Sequence, residues 1–240
     1  MIGPTSFPKC TAIGNYAFYY CTSLFSIDLP ICETIGSSAF YNGVLSIASF
    51  PKCTTVGSSA FAKISELTEV NLPVCTTIGS NAFLLCSSLS SINLPECDTI
   101  GGCAFSGCSL ITSISFSKCV TLKESAFYGC NNLVSVNLPI CQSIGTSAFH
   151  NIQTLTNVTV SASFIGSRAF YSCSKLTSFI NYYSSIATLS NRSAFYYTPM
   201  SKSTYTGSFG SIYVPASLVA SYKTATNWAS YAARITSIPE

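Results

Sequence analysis

The chain has 240 residues, of which 48% are hydrophobic and only 8% are charged, and its formal net charge is +3. Ordinary soluble domains contain about 25% charged residues, so this composition favours a rigid packed body over a disordered chain. No apolar run approaches the ~20 residues that a membrane-spanning helix needs. The positive charge lies in residues 125–240, where three Lys and three Arg accompany one carboxylate without forming a cluster. This excess of positive charge is too small and too dispersed to predict nucleic-acid binding.

An Ala-Phe pair recurs nine times along the chain, at intervals of 21 to 25 residues. A nearly constant period of this size is typical of a solenoid, in which each turn buries its apolar face only by stacking on its neighbours. The sequence therefore predicts a repeat protein. The phenylalanines of the pairs are Phe18, Phe40, Phe61, Phe83, Phe105, Phe127, Phe149, Phe170 and Phe195.

In chain order, each repeat follows the pattern Leu-x-x-Val-x-Leu-Pro-x-Cys-x-x-Ile-Gly-x-x-Ala-Phe-x-x-Cys, as in the copy from Leu67 to Cys86. The first apolar columns alternate with polar ones, which predicts a half-buried strand of about four or five residues that the proline ends. The glycine predicts a turn, and the Ser-x-Ala-Phe block predicts a helical or 3₁₀ turn with Phe pointing inward. Because Lys123 once replaces the glycine, the turn is not expected to need a positive φ.

This pattern resembles the BspA-type, or treponemal-type, leucine-rich repeat of surface proteins from host-associated bacteria and some protists. The block I-G-x-x-A-F-x-x-C followed by L-x-x-I-x-L-P recurs in register about eight times, over nearly the whole chain. The resemblance implies a right-handed curved solenoid with one short parallel strand per turn on the concave side and short helical turns on the convex side. Residues 1–180 are expected to form about eight turns, the first incomplete, and residues 181–240 an irregular last repeat with a cap, all in one elongated domain.

The end of the chain departs from the repeat and resembles the C-terminal capping segment of this family. It begins at residues 212–215, with the sequence Ile-Tyr-Val-Pro. Trp228, Tyr231 and Ile235 then follow at helical spacing and are predicted to pack with Ala225 as one face of a helical cap.

Thirteen cysteines fall almost entirely into two columns of the repeat. Isoleucine replaces cysteine in the second column, so we predict buried free thiols, with scattered disulfides as the alternative. No metal site is expected, because the cysteines lie along two lines and the chain has a single histidine, His150. The first column holds Cys10, Cys32, Cys53, Cys75, Cys97, Cys119 and Cys141, and the second holds Cys21, Cys86, Cys108, Cys130 and Cys173.

No motif of enzyme chemistry or cofactor binding stands out from the background, so no catalytic residue and no cofactor is expected. His150 is predicted to be a solvated surface residue. The resemblance implies an extracellular or cell-surface module that recognises a host or microbial protein or glycan, displayed in several copies. The alternative is a structural spacer that projects another domain from the cell. The chain lacks an apolar signal region and a complete first repeat, so we expect it to be a fragment of a larger protein.

The main interaction surface is predicted on the concave sheet, where residues flanking the central apolar position of each strand point away from the core. These side chains are short, polar and almost uncharged, so they suit hydrogen bonding to an extended backbone or to sugar hydroxyls at micromolar affinity or weaker. The alternative is that they only keep the stacked sheet soluble and well packed. The first line comprises Ser26, Ile47, Glu69, Ser91, Ser113, Ser135 and Asn157, and the second Asp28, Ser49, Asn71, Asn93, Ser115, Asn137 and Thr159.

A tyrosine-rich segment within residues 181–211 is the second candidate, because the final repeat is 25 residues long and breaks register there. Aromatic and cationic side chains together anchor partners or stack on sugars. The alternative is that the tyrosines close the open core of the last turn, as a terminal repeat must. The candidate residues are Tyr182, Tyr183, Arg192, Tyr196, Tyr197 and Tyr205.

Overall fold

The computed structural model describes residues 5–201 and 209–240, and these form a parallel-strand solenoid of about ten turns with about 22 residues in each. The predicted fold class is confirmed. The turns are held together by backbone hydrogen bonds between neighbouring copies of the same repeat position, so each turn depends on the next for its pairing.

The first sheet contains the predicted strand of each turn, and all its pairs are parallel. It runs in three sections, whose strands lie within residues 5–28, 47–93 and 113–237. Identical repeat positions are in register, as Val70 and Ile92 are. Its strands are β1 (Thr5–Ser6), β3 (Ile27–Asp28), β5 (Ile47–Ser49), β7 (Glu69–Asn71), β9 (Ser91–Asn93), β11 (Ser113–Ser115), β13 (Ser135–Leu138), β15 (Asn157–Val160), β17 (Ser178–Asn181), β19 (Ser211–Val214) and β20 (Ile235–Ser237).

A second parallel sheet, absent from the sequence prediction, passes without interruption through nine turns. Each strand has two residues, an outward residue that is most often Thr and an inward Ile, Leu or Val. Two residues are too short to show a period, which is why the pattern did not predict them. The strands are β2 (Ala12–Ile13), β4 (Thr34–Ile35), β6 (Thr55–Val56), β8 (Thr77–Ile78), β10 (Thr99–Ile100), β12 (Thr121–Leu122), β14 (Ser143–Ile144), β16 (Phe164–Ile165) and β18 (Thr188–Leu189).

The Ala-Phe block forms a third ladder between turns rather than a helix in most repeats. The Phe40 N–H donates to the Ala60 carbonyl at 2.7 Å, and the Phe61 N–H donates to the Ala82 carbonyl at the same distance. Residues two before and two after each of the first eight of these phenylalanines have positive φ, such as Ser38 at 54°. Left-handed residues at these intervals direct N–H groups along the solenoid instead of back into a helix. The predicted 3₁₀ turn is present in the last repeat, at Arg192–Phe195.

The core is a continuous stack of the repeated apolar columns, as predicted. Successive phenylalanine rings lie nearly parallel, with 5.2 Å between the centroids of Phe83 and Phe105. Both side chains are fully buried. Because each ring inside the stack is covered by the rings of two neighbouring turns, the stack buries apolar surface that a single turn would leave in water.

All thirteen cysteines are free thiols and ten of them are buried, as the two-column pattern predicts. The Cys86 Sγ–H donates to the Phe61 carbonyl at 3.1 Å, and the same contact recurs from Cys108 to Phe83. Burial raises the pKa of Cys86 to about 12. These thiols therefore act as small packing groups that also satisfy a core carbonyl.

Wherever a glycine occupies this position after the first turn, it is required by the close approach of the preceding turn and not by its φ, which agrees with the prediction made from Lys123. A Cβ added at Gly79 would lie 2.6 Å from the carbonyl carbon of Gly57, a distance that real Cβ atoms do not reach. The hydrogen bond between turns is slightly longer at Lys123 than at a glycine. The Lys123 N–H lies 3.0 Å from the Ile100 carbonyl, whereas the Gly101 N–H lies 2.8 Å from the Ile78 carbonyl.

The C-terminal end of the stack is closed by the predicted cap. It consists of 3₁₀ helices at Ala216–Leu218 and Trp228–Arg234 around one α-helix, α1 (Val219–Thr224). Trp228, Tyr231 and Ile235 are buried, as predicted, and so is Tyr222. The prediction that all three lie on one helical face is wrong for Ile235, because the helix ends at Arg234 and Ile235 begins strand β20. Among the described residues, no helix has both the length and the apolar character to cross a membrane.

Candidate functional site

The outward side of the first sheet, called the concave face here, presents the two predicted lines of side chains in register. Ser91 is exposed and Glu69 is half-buried in the first line, and Ile47 is an exposed apolar residue among them. Strand pairing places Glu69 beside Ser91 and Ser113 beside Ser135. The remaining predicted residues of this line, Ser26 and Asn157, are also exposed.

In the second line, amide and hydroxyl groups bond to each other along the solenoid. The Asn93 Nδ2 donates to the Asn71 Oδ1 at 2.7 Å, and the Asn71 Nδ2 donates to the Ser49 Oγ at 3.3 Å. The Asn137 Nδ2 donates likewise to the Ser115 Oγ at 3.2 Å. These bonds favour a packing role for the amides, while each group keeps further donor or acceptor capacity towards solvent.

The two charged residues of these lines are Asp28 and Glu69. Asp28 accepts a hydrogen bond of 2.9 Å from the Ser6 hydroxyl. The last predicted member of the second line, Thr159, is half-buried and pairs with Asn137 in the sheet. The concave face is therefore polar, weakly acidic in its first turns and without basic groups in either line.

The tyrosine-rich segment is divided between two places on the solenoid. Tyr182 and Tyr183 follow β17, and Tyr182 is exposed. Tyr196 and Tyr197 instead follow Phe195 on the Ala-Phe ladder, where Tyr196 is half-buried and Tyr197 exposed.

Other side chains close the last turn, namely Tyr222, Trp228 and Tyr231 of the cap. The Tyr231 hydroxyl donates to the carbonyl of Arg192, whose own side chain is exposed. Tyr205 lies outside the described residues.

A row of aromatic side chains on the Ala-Phe ladder, two exposed and two half-buried, did not figure in the sequence prediction. We call it the aromatic row and define it as Tyr128, His150, Tyr171 and Tyr197. Ring centroids along it are separated by 5.3, 5.0 and 5.1 Å. The position directly after the Ala-Phe pair holds Tyr128, His150 and Tyr171 and could have revealed them, whereas Tyr197 lies one residue further along its turn.

His150 lies inside the aromatic row and is half-buried, so the prediction of a solvated histidine is wrong. Its ring packs between those of Tyr128 and Tyr171 because the neighbouring turns place side chains from the same column on both sides. Burial, and secondarily the charge of Arg168, lowers the pKa of His150 below its ordinary value. The imidazole is therefore neutral at physiological pH.

A comparable cluster lies at the other end of the ladder. Tyr19 stacks on Tyr41 with 5.2 Å between centroids and 16° between ring planes, and it also contacts Tyr16 and Tyr20. The Lys63 ammonium lies 5.3 Å from the centroid of the Tyr41 ring. The ladder therefore carries two aromatic clusters, each with one cation beside it.

The chain matches the model of the "BspA type Leucine rich repeat region", with six copies over residues 4–112 and 98–216. No curated protein sequence matches it. Among solved structures, the leucine-rich repeat protein of T. pallidum has a TM-score of 0.57 at 24% identity, covering 70% of this chain and 78% of that one. A leucine-rich repeat protein from Eubacterium ventriosum has a TM-score of 0.59 at 22% identity, and the alignment covers 81% of this chain.

The alignment spans only 64% of the E. ventriosum protein. A leucine-rich cell surface protein from Faecalibacterium prausnitzii aligns with 19% identity over 89% of this chain and 82% of its own length, at a TM-score of 0.36. At these identities the likeness shows the fold alone. The matched ranges together span the turns whose core and sheets are described above, and the chain belongs to the BspA-type leucine-rich repeat family.

Proposed function

We propose that this chain is a non-enzymatic recognition module of a cell-surface or secreted protein, and that it binds a host or microbial protein or glycan through the concave face. The observation that carries the proposal is the in-register parallel sheet, which repeats outward polar positions from turn to turn. Family membership supports a surface location, because the family is one of surface proteins of host-associated microbes. Residues 1–180 provide about eight repeats, and residues 181–240 provide an irregular last repeat and the C-terminal cap, in one elongated domain.

The chemistry of the concave face supports weak, distributed binding. Ser, Asn and Thr side chains offer hydrogen bonds, but the two lines contain no Tyr, Trp or Arg, the residues that dominate strong interfaces. A single module is therefore expected to bind at micromolar affinity or weaker, on the order of −8 kcal/mol at most. Several copies on one surface raise the effective affinity without any new contact.

A second candidate function is a structural spacer. The hydrogen bonds from Asn93 to Asn71 and from Asn71 to Ser49 favour it, since amides engaged with one another stiffen the stack. A spacer tolerates any soluble residue at its outward positions, whereas a binding module does not. The two functions therefore differ in their response to concave-face substitutions.

The test is the triple substitution Asn71→Lys, Asn93→Lys and Asn137→Lys, with binding measured against immobilised extracellular matrix glycoproteins and a glycan panel. We expect binding to be lost, because three ammonium groups would occupy the polar line. The thermal midpoint should stay nearly unchanged, since these residues are on the surface. Undiminished binding by the folded triple variant would contradict the concave site, and no binding by the wild-type chain would favour the spacer.

A further inference from the structure

The aromatic row has the form of a stacking surface that spans four consecutive turns. Its rings are tilted or edge-on to each other rather than parallel, with interplanar angles of 62°, 41° and 71°. Tyr128 and Tyr197 are each more than two-fifths exposed. Tilted rings leave parts of their π faces open to solvent. Such faces are electron-rich and attract the C–H bonds of a sugar ring as well as cations.

Arg168 provides a cation at this row. Its guanidinium carbon lies 5.7 Å from the centroid of the Tyr171 ring, and the side chain is exposed. Among the residues that the structure describes, the one ion pair is between Lys118 and Glu96, so no described carboxylate neutralises Arg168. A guanidinium lying over an aromatic ring keeps its N–H groups at the edge, where they can bind a carboxylate in a bidentate manner.

The backbone at Arg168 strengthens the case that its side chain is placed for a purpose. Arg168 has a φ of 55°, in a column of left-handed residues where other turns have Ser, Asn, Tyr or Cys. Left-handed backbone costs an ordinary residue on the order of 1 kcal/mol, and less for Asn. Arg168 is the one cationic residue in this column, and residues held in such a conformation cluster at functional sites.

The part of the chain that carries the row has a positive net charge. Residues 125–239 contain no Asp or Glu, yet they hold three Lys and three Arg. Residues 1–124 hold seven of the eight Asp and Glu residues in the chain, and one of them, the exposed Glu124, precedes Tyr128 by four residues. A surface with an excess of cations attracts acidic ligands and repels basic ones.

We propose that the aromatic row binds a carboxylated oligosaccharide, with sugar rings packed on Tyr128, Tyr171 and Tyr197 and a carboxylate bound by Arg168. The row is one side chain wide in each turn, and its flanks carry Ser147, Asn151 and other short polar or glycine residues. A standard protein interface needs about 20–30 residues on each side, which this narrow strip does not provide. A linear glycan with at least one acidic sugar fits both its width and its charge.

This site shares no residue with the concave face, so it goes beyond the proposed function and is tested separately. The probes are an oligogalacturonate, the galactose oligosaccharide of equal length without carboxylates, and a polyglutamate peptide. Binding to the full chain is measured by calorimetric titration and by saturation-transfer NMR. We expect the oligogalacturonate to bind at least about tenfold more tightly than either of the others, and to weaken as salt rises.

Two variants locate the site. Arg168→Asn is expected to lower oligogalacturonate affinity about tenfold, and Asn suits this backbone because Asn81 occupies the same column with a φ of 58°. Tyr171→Leu is expected to lower it by a similar factor. The matched control is Lys63→Asn, which removes the cation of the other aromatic cluster and should leave the affinity unchanged. Thermal unfolding of each variant establishes that it is folded.

Three results would overturn the proposal. The first is equal affinity for the charged and the uncharged oligosaccharide. The second is undiminished oligogalacturonate affinity of the folded Arg168→Asn variant. The third is a loss of affinity in Lys63→Asn as large as that in Arg168→Asn. Binding of polyglutamate in preference to the oligogalacturonate would assign the row to an acidic protein segment and overturn it as well. If Tyr171→Leu does not fold, the arginine variant and its control still decide the question.

Discussion

The first turn and the middle turns of the solenoid share the same sequence pattern but not the same environment. Phe83 is fully buried between the rings of Phe61 and Phe105, whereas Phe18 stacks on Phe40 and remains only partly buried. The glycines differ in the same way, since a Cβ at Gly14 would have no heavy atom within 4 Å. The comparison shows that the contribution of a repeat position to the free energy of unfolding depends on the turns on both sides of it, and not on its own residue type alone.

The largest expected effect comes from removing a ring in the middle of the stack. Phe83→Ala should lower the free energy of unfolding by about 3–5 kcal/mol, because it removes a fully buried ring and leaves a cavity between two neighbours. Phe18→Ala should cost clearly less, since part of that ring already contacts water. Urea unfolding followed by circular dichroism measures both. Equal losses of unfolding free energy at the two positions would contradict the dependence on neighbouring turns.

A smaller effect is expected at the glycine column. Gly79→Ala places a Cβ against the backbone of the preceding turn and should cost about 1–3 kcal/mol. Gly14→Ala meets no atom and does not require a positive φ, so it should be neutral or stabilise by about 0.4–1 kcal/mol through the unfolded chain. Thermal unfolding of the two variants provides the measurement. Destabilisation by Gly14→Ala as large as that by Gly79→Ala would show that conformational freedom, not turn spacing, selects glycine.

The smallest perturbation is chemical labelling of the native thiols. Cys10, Cys21 and Cys103 are half-buried and should react with a maleimide first, whereas the ten buried thiols should stay protected. Burial raises the pKa of Cys86 to about 12, so little reactive thiolate forms there at neutral pH. Mass spectrometry after timed labelling counts the modified sites. Labelling of Cys86 at the rate of Cys21 would mean that middle turns open as readily as the first turn.

Core columns and the cap could be predicted from the sequence because their signal is repeated or amphipathic. Phe83 and Cys86 recur at the same position in other repeats, and Trp228, Tyr231 and Ile235 have helical spacing. The second sheet could not be predicted, since Thr77–Ile78 and its counterparts are too short for alternation to appear. The ladder of the Ala-Phe blocks was also missed, because left-handed Ser and Asn residues carry no strong sequence signal.

The candidate sites were harder to predict than the fold, for a different reason. Outward residues of the concave face could be placed from alternation alone, but not their hydrogen bonds to one another, such as that from Asn93 to Asn71. The aromatic row involves a column that is aromatic in some turns and not in others. His150 looked isolated in the sequence because Tyr128 and Tyr171 approach it only through stacking of turns.

Backbone hydrogen bonds donate in both directions along this solenoid. Where the strands of the second sheet end, the later turn donates, as the Gly36 N–H does to the Ile13 carbonyl, while in the Ala-Phe ladder the earlier turn donates, as the Phe18 N–H does to the Ala39 carbonyl. In an α-helix all peptide dipoles point the same way and add along the axis, whereas here some of them oppose one another. Adding a turn to such a stack therefore adds less charge to its ends than lengthening an α-helix would.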